Sequence, residues 1–424
     1  MEYRIAKGVF DILPHDPDTK GRWRSSAYWH YVEKQIHEIA REFGFSEIRT
    51  PLFESTELFT RSIGATSDIV TKEMYTFFDK ANRSLTLRPE GTAPVMRSLI
   101  EKKLCTQQKV YYLYSMFRYE RQQAGRYRQH HQFGIEAVGN ASPYQDAEGI
   151  ILLYTLLTRL GLKNLTLHLN SIGDSIDRNA YRTALQNFLK PYFKCLSVES
   201  QARFETNPLR ILDSKDSRDI EITQNAPFIL EFLRDETKSH FETVCALLKN
   251  EGVYFNVNPK LVRGLDYYNR TVFEITSEHL GAQNALGGGG RYDGLIKDLG
   301  GPDTPAFGFG AGLERIIQAM LAQGAYLPEE GILQLYMIPL GEKAFAPSFH
   351  LLNQLRNQHI VAQMDFSEKK LKSAMKFANQ IKAQYVVVIG EEELKTGKIS
   401  LKNMKTGENK EVSIDQLVET MKHV

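Results

Sequence analysis

Cysteine is scarce in this chain of 424 residues, and neither sign of charge dominates. Cys105, Cys195 and Cys245 are far apart and form no CxxC pair, a spacing that argues against a disulfide framework or a zinc site and favours reduced thiols in a cytoplasmic protein. Lys and Arg number 53 against 51 Asp and Glu, which gives a net charge of +2. Any site for a polyanion must therefore come from local clustering of basic residues.

Long apolar runs and targeting segments are also missing. The most apolar stretch, residues 150–157, lies between Glu148 and Arg159 and is much shorter than the roughly 20 residues needed to span a bilayer. Residues 1–10 lack the basic and then apolar layout of a signal peptide. These absences predict a soluble cytoplasmic enzyme, and the length allows two or three domains.

Periodic patterns predict the main elements of the first part of the chain. Apolar residues recur at helical spacing over residues 24–43. Residues 110–118 and 132–138 predict the two strands of a long antiparallel hairpin. Residues 175–252 are polar and helix-patterned, which indicates a helical insertion.

A change of pattern near residue 326 predicts a second domain. Gly, Pro and two Glu residues indicate a linker at residues 326–331. Beyond it, apolar strand runs alternate with helical ones, as is typical of a compact α/β domain. We therefore predict a catalytic domain at residues 1–325, which contains the insertion, and an α/β domain at residues 332–424.

The most informative segment is a polar hairpin loop with four arginines in eleven residues. Arg118, Arg121, Arg126 and Arg128 are interrupted by one acid, Glu120. Planar guanidinium groups bind phosphate oxygens in bidentate fashion, and nearby aromatic rings can stack on a base. A basic solvated loop is the simpler alternative, but the single acid suits a site that holds both a triphosphate and a purine amino group.

Two further clusters combine glycine with tyrosine. Arg263 and Gly264 precede Tyr267 and Tyr268, which we predict to enter a strand and to face its opposite sides. A purely structural role, as a turn followed by an aromatic strand, explains this cluster as well as a role in binding does. The glycine run 287–290 forms either a flexible loop or a backbone that closely approaches a ligand.

A third glycine-rich segment covers residues 307–316. Its GxGxG spacing does not fit a dinucleotide fingerprint, and no acid follows about twenty residues on. We predict close backbone packing here, with Arg315 projecting from the first turns of a helix. The adjacent His130 and His131 do not predict a metal site, because neighbouring residues on a strand point in opposite directions.

These segments together resemble the histidyl-tRNA synthetase family of class II aminoacyl-tRNA synthetases, in its bacterial form. Three segments are similar to class II motifs 1, 2 and 3, namely residues 45–53 (FSEIRTPLF), 117–136 and 308–316. Two strings are specific to the family, residues 261–274 (LVRGLDYYNRTVFE) and 287–294 (GGGGRYDG). Shorter matches to bacterial-type members occur at residues 87–92, 170–173 and 207–213. The similarity follows the family's order over essentially the whole chain.

The resemblance implies an α+β fold, with a six-stranded antiparallel sheet flanked by helices, a helical insertion and a C-terminal α/β anticodon-binding domain. It implies a ligase that activates L-histidine with ATP to histidyl-adenylate and pyrophosphate, then transfers histidine to the 3′ terminal adenosine of tRNA(His). ATP is expected as a substrate with Mg²⁺, without a protein-held metal or prosthetic group. A homodimer through the motif 1 region is expected, and no membrane association.

The resemblance also implies which residues bind ATP. Arg118 is expected to bind the α-phosphate, and Arg126 and Arg315 the outer phosphates. Glu120 is expected to accept a hydrogen bond from the adenine amino group. His130 departs from the family pattern, because many members have Phe at this position, stacked on adenine.

A second set of residues is implied for histidine. The ammonium group is expected to lie against Glu90, Thr92 and Gln132. The two imidazole nitrogens need partners on both sides, and the residues implied for this pocket are Glu136 and Tyr268, with Tyr292 closing it.

Three more residues complete the implied site. Arg263 corresponds to the family's extra catalytic arginine, which is aimed at the α-phosphate and the histidine carboxylate where other class II enzymes place a metal. Arg121 and Gln123 are expected to read the extra 5′ guanosine of histidine tRNA.

Three alternatives remain at this point. The first is the inert paralogue of the family, a regulatory subunit of ATP phosphoribosyltransferase, which is expected to lack the C-terminal domain and several of the arginines. The second is a class II synthetase for threonine or proline, which does not need the string at residues 261–274. The third is an RNA-binding module, which leaves Glu90, Glu136 and Tyr268 unexplained.

Overall fold

The structure is a computed structural model, and it describes residues 3–14, 16, 18–64, 67, 69–120, 125–328, 333–367 and 370–423. The chain forms two compact units, Met1–Pro328 and Glu329–Val424. No helix of the described residues is long and apolar enough to cross a membrane. The three cysteines form no disulfide.

The first unit is built on a large mixed sheet. The strands of the first unit are β1 Ser46–Glu47, β2 Phe53–Ser55, β3 Tyr75–Phe78, β4 Ser84–Leu87, β5 Gln108–Phe117, β6 Gln129–Val138, β7 Leu165–Ser171, β8 Phe255–Val257, β9 Asn269–Ser277, β10 Ala285–Arg291 and β11 Ala306–Gly312. Of these, β2, β3 and β4 form a separate small sheet in the order β2-β4-β3. Within the described residues, eight strands form one sheet in the order β1-β5-β6-β11-β10-β9-β7-β8. The six central strands are antiparallel, as predicted, and the short edge strands β1 and β8 add parallel pairs.

Helices cover this sheet and fill the region between β7 and β8. They are α1 Ser26–Glu42, α2 Thr56–Ile63, α3 Thr92–Glu101, α4 Pro143–Arg159, α5 Ser175–Leu189, α6 Val198–Arg203, α7 Ser217–Thr223, α8 Asp235–Asn250, α9 Leu295–Asp298 and α10 Leu313–Gln323. In α1, Trp29, Val32, Ile36 and Ile39 recur at helical spacing and are fully buried, so this face packs on the sheet. Helices α4 and α10 share the same core.

Alternation along the central strands separates a core face from an open face. On β6, Phe133 and Ile135 are buried against the helices, whereas Gln132 and Glu136 project from the other face. The predicted hairpin is confirmed as β5 and β6, which pair antiparallel over ten residues each.

The glycine run 287–290 was expected as a possible flexible loop, and that expectation is wrong. It lies in β10, at the centre of the sheet. Glycines are also needed on the neighbouring strand β11, because a side chain at Gly308 would collide with Glu136 and one at Gly310 with Gln132. The small residues therefore allow side chains of β6 to lie flat across the neighbouring strand.

The second unit is a compact α/β fold, as predicted. Its elements are β12 Leu335–Pro339, α11 Glu342–Asn357, β13 Ala362–Met364, α12 Leu371–Gln380, β14 Tyr385–Ile389, α13 Glu391–Thr396, β15 Lys398–Asn403, β16 Asn409–Ser413 and α14 Leu417–Lys422. The strand order is β13-β12-β14-β15-β16, with the first three strands parallel and the others antiparallel. Helices α11 and α14 pack on one face of this sheet and α12 on the other.

Candidate active site

A cavity of about 260 Å³ opens on the free face of the large sheet. Its walls come from β6, β9, β10 and β11, from the first residues of α3 and α10, and from the irregular loop 258–268 between β8 and β9. We call this cavity the main pocket. Most of the predicted site residues line it, namely Glu90, Thr92, Arg118, Glu120, Arg126, His130, Gln132, Arg263, Tyr268 and Arg315.

One end of the main pocket is cationic. Arg118 donates from Nε to the Pro89 carbonyl at 2.7 Å. Arg315 donates to the carbonyls of Gly125 and Ala285 at 3.0 and 2.9 Å. Burial and the nearby Arg126 lower the pKa of Arg315 from its ordinary value. These backbone contacts fix the two guanidinium groups before any anion binds.

Arg126 and the single acid of the loop complete this end. Arg126 donates from Nε to Gln283 Oε1 at 3.1 Å, and the same nitrogen lies 3.2 Å from Glu120 Oε2. Glu120 Oε1 is 4.0 Å from Arg118 Nη1. The Glu120 carboxylate therefore lies between two cations, Arg126 and Arg118.

His130 and His131 point in opposite directions, as predicted. His130 faces the main pocket, where burial and the charges of Arg118 and Arg315 hold its pKa well below the ordinary value. Its ring is therefore neutral at physiological pH. His131 packs against Trp29 with ring centroids 4.8 Å apart, and its backbone N–H donates to Glu314 Oε1 at 2.7 Å.

The other end of the main pocket holds two buried carboxyl groups. Glu90 accepts from the backbone N–H of Thr92 at 2.7 Å and of Ala93 at 2.8 Å, which satisfies the start of α3. Burial raises the pKa of Glu90. Glu136 is fully buried beneath the pocket floor, and burial together with the charge of Glu90 raises its pKa to about 8.

Three hydroxyl groups surround Glu136. It accepts from Thr92 Oγ1 at 2.8 Å, from the Tyr112 hydroxyl at 3.3 Å and from the Tyr292 hydroxyl. Gln132 donates to the same Tyr112 hydroxyl at 3.4 Å. The predicted residues Glu136 and Tyr292 thus lie beneath the carboxyl end of the main pocket, although they do not line the cavity wall.

Tyr267 and Tyr268 correct one expectation. They precede β9 rather than entering it, and both line the main pocket with ring centroids 4.7 Å apart. A strand would have sent them to opposite faces, but the irregular backbone places them on the same side. Burial raises the pKa of Tyr268 to about 12, so its hydroxyl stays protonated.

Arg263 lines the main pocket between Glu274 and Tyr268. The charge of Glu274 also reaches Arg315 at the cationic end, and Tyr268 is close to Glu136 at the carboxyl end. Arg263 Nη1 donates to Glu274 Oε2 at 2.6 Å. Its Nε is buried and forms no hydrogen bond with the described part of the chain. Although burial opposes the charge, Glu274 and the nearby tyrosines hold the pKa of Arg263 above its ordinary value. A cation paired with Glu274 thus lies in the same cavity as the cationic end and the carboxyl end.

Two predicted residues, and the possibility of a metal site, remain to be placed. Arg121 and Gln123 lie outside the described residues. Among those that the structure describes, no group of three or more His, Cys, Asp or Glu side chains is placed to hold a metal ion.

Some residues of the site were not identified from the sequence. Tyr112 supports Glu136 and Gln132 from β5, and Glu314 holds β6 from α10. Glu274 ends the string at residues 261–274, which implies no role for it, yet it forms the ion pair with Arg263. The one available signal for Tyr112 is its place opposite Gly134 in the predicted hairpin.

Comparisons with known proteins agree with this geometry. The family model described as Histidyl-tRNA synthetase matches residues 24–316, and the model described as Anticodon binding domain matches residues 334–423. The chain is 56% identical over 426 residues to a histidine–tRNA ligase of Protochlamydia amoebophila, with 100% of both chains covered. It is 48% identical over 407 residues to that of Chlamydia felis, covering 95% of this chain and 94% of the relative.

A solved structure gives the same result for the fold. The apo histidyl-tRNA synthetase of S. aureus aligns with a TM-score of 0.84 at 39% identity, covering 99% of this chain and 100% of the other.

Proposed function

The chain belongs to the histidyl-tRNA synthetase family, and from that premise we propose how its main pocket performs the reaction of a histidine–tRNA ligase. The reaction has two steps. The histidine carboxylate attacks the α-phosphorus of ATP, which forms histidyl-adenylate and releases pyrophosphate. A hydroxyl of the 3′ terminal adenosine of the tRNA then attacks the activated carbonyl, and AMP leaves. The observation that carries the proposal is the position of Arg263 between the cationic end and the carboxyl end of one cavity.

We assign the triphosphate to the cationic end. Arg118 binds the α-phosphate, and Arg126 and Arg315 bind the outer phosphates. The held geometry of Arg118 and Arg315 supports this assignment, because prearranged cations stabilise developing charge without reorganisation. Mg²⁺ enters as part of the ATP substrate, coordinated mainly by phosphate oxygens and water.

We assign the purine to the acid and the imidazole of the same end. Glu120 accepts from the adenine amino group. The neutral ring of His130 stacks on the base, which a protonated ring beside two arginines would do less well. The family's usual Phe is therefore replaced by another flat, uncharged ring.

We assign histidine to the carboxyl end. Glu90, Thr92 and Gln132 surround its ammonium group. Glu136 accepts from one imidazole nitrogen, with Tyr292 and Tyr112 holding the carboxyl group, and the Tyr268 hydroxyl pairs with the other side of the ring. Three hydroxyl donors leave Glu136 one further acceptor position, which suits one imidazole N–H.

Transfer to tRNA is assigned in part to the loop residues Arg121 and Gln123. Replacing both by Ala should lower aminoacylation of tRNA about tenfold or more and should leave ATP–pyrophosphate exchange near the parent rate. Aminoacylation requires the acceptor end of the tRNA, whereas the exchange reaction does not. An equal loss in both assays contradicts this division of roles.

We also propose that the protein is a homodimer. Leu52, Phe53, Phe77 and Phe78 are 39% to 65% exposed at the small sheet β2-β4-β3, and Leu52 and Phe53 belong to the motif 1 segment. The rings of Phe53 and Phe77 lie 6.0 Å apart on one face of this sheet, and Phe78 follows Phe77 on β3 and points to the other face. Exposed apolar side chains clustered in this way are typical of an interface.

Replacing Leu52 and Phe78 together by Glu should shift the sedimenting mass from twice 48.5 kDa towards 48.5 kDa, because two charges would be buried at the interface. Val198→Glu is the control, since Val198 is equally apolar and 83% exposed on α6. A parent protein that sediments as a monomer contradicts the proposal.

A further inference from the structure

The loop 258–268 carries Arg263 and Tyr268 but belongs to no helix or strand. Backbone polar groups of such a loop must find partners outside regular structure. The position of the Arg263 guanidinium depends on how this backbone is held. The partners of the loop are therefore part of the machinery of the site.

Three side chains donate to backbone carbonyls of the loop, and a fourth donates to one of its side chains; we call the four the loop clamp: Asn170, Arg178, Arg210 and Asn207. Arg210 donates from Nη1 to the Arg263 carbonyl and from Nη2 to the Gly264 carbonyl, both at 3.1 Å. Asn207 donates to Asp266 Oδ1 at 2.9 Å. The carbonyl of the catalytic arginine itself is thus one of the groups that the loop clamp holds.

The remaining two members hold the ends of the loop. Arg178 on α5 donates to the Tyr268 carbonyl at 2.9 Å. Asn170 on β7 is fully buried and donates to the Leu261 carbonyl at 3.0 Å. Asn170, Asn207 and Arg210 come from the two matched strings, residues 170–173 and 207–213, to which the binding of ATP and histidine gives no role.

A cleft of about 320 Å³ separates the helices between β7 and β8 from this loop, and it shares Arg263, Leu265 and Tyr268 with the main pocket. Arg182 lines the same cleft as Arg178 and Arg210. It differs from them in its partner, because it donates to the Glu205 carbonyl within the helical region. The cleft therefore contains a matched arginine that does not touch the loop.

We propose that Arg210, assisted by Asn207, is a positioning residue for amino-acid activation. It holds the backbone at Arg263 and Gly264 so that the guanidinium of Arg263 meets the reacting phosphate. The proposal rests on the role proposed for Arg263. Two separate donors on one planar group fix both the place and the orientation of the loop, which a lysine cannot reproduce.

The test is ATP–pyrophosphate exchange by the full-length protein without tRNA. Arg210→Ala should lower kcat about a hundredfold and leave the KM values for ATP and histidine within about threefold, because a displacement of about 1 Å at the reacting groups costs about that much. Arg210→Lys should recover little. Arg182→Ala should exchange at the parent rate.

A second readout separates positioning from a loss of folding. Millimolar guanidinium ion should restore part of the exchange activity of Arg210→Ala, because it can occupy the vacated site in the open cleft, whereas it cannot repair a misfolded chain. If Arg210→Ala does not fold, Asn207→Ala decides: a fall in kcat of about fivefold at unchanged KM supports the proposal, and parent-like exchange overturns it.

Two results for the arginine variants would overturn the positioning role. Parent-like kcat in a folded Arg210→Ala overturns the proposal, and so does an equal loss in Arg182→Ala. Arg263→Ala is measured in parallel. Near-normal exchange in that variant refutes the role of Arg263 itself, whereas an inactive Arg263→Ala beside an active Arg210→Ala refutes the positioning role alone.

Discussion

Arg263→Ala should lower ATP–pyrophosphate exchange by about a thousandfold while histidine binding stays measurable. Arg263 is the cation between the cationic end, to which we assign the triphosphate, and the carboxyl end of the main pocket. Removing one group that stabilises charge in the transition state typically costs a hundredfold to a thousandfold in kcat, and here both reacting groups are anionic. The contacts assigned to the ammonium and the imidazole do not involve Arg263, so histidine should still bind.

The matched control comes from the same string. Arg270 pairs with Glu236 at 2.5 Å and does not line the main pocket, so Arg270→Ala should exchange near the parent rate. Calorimetric titration with histidine gives the binding, and exchange gives the activation. Near-normal activation by Arg263→Ala rules out the role assigned to it.

Glu136→Gln should lower kcat/KM for histidine by about a thousandfold. Glu136 is fully buried, and its carboxyl group already accepts from three hydroxyl groups. An amide in the same space offers a single acceptor oxygen and presents an N–H₂ group to hydroxyls and to the imidazole. A buried site that is built to pair with a substrate polar group discriminates strongly when that pairing is lost.

The raised pKa of Glu136 adds a pH dependence with a defined sign. In the empty pocket the group is protonated below its pKa of about 8, and only the ionised form is purely an acceptor. The ratio of kcat/KM for histidine between parent and Glu136→Gln should therefore rise from pH 6 to about pH 8 and then level. A ratio that does not change with pH contradicts the assignment of Glu136 as acceptor.

The free energy of unfolding of the parent, relative to Glu136→Gln, should fall as pH rises, whereas the kcat/KM ratio rises. A carboxyl group whose folded pKa is raised favours the folded state below its ordinary pKa, and this contribution is lost as pH rises towards about 8. Urea midpoints of the parent should therefore fall relative to Glu136→Gln between pH 5 and pH 8. Glu90, whose pKa is raised by its own burial, is present in both proteins, so that burial contributes equally to both curves. Parallel midpoints across this range would show that the folded pKa is not raised.

One hairpin of the central sheet was predictable because its signal is local, whereas the six-stranded sheet as a whole was implied by the family resemblance. The hairpin of β5 and β6 follows from two apolar runs and the polar loop between them. Arg118 and Arg126 reach the main pocket because the hairpin returns them to the sheet face. The family strings supplied most of the remaining residues, and the structure brings Glu90, Gln132 and Tyr268 to one cavity.

Other features depend on contacts between distant segments, which periodicity does not reveal. The glycine run 287–290 resembles a flexible loop in the sequence, yet it lies in β10, which pairs with β11 on one side and with β9 on the other. Tyr267 and Tyr268 share a side because the loop clamp holds an irregular backbone, and its members lie far away in sequence. Glu314 contacts a residue 183 positions away.

ATP–pyrophosphate exchange with each of the standard amino acids in turn tests the central claim most directly. The pocket assignment predicts exchange with histidine alone, because Glu136 and Tyr268 both require an imidazole. Exchange with another amino acid, or no exchange with any of them in a correctly folded protein, would contradict it, and the second result would point to the regulatory paralogue of the family.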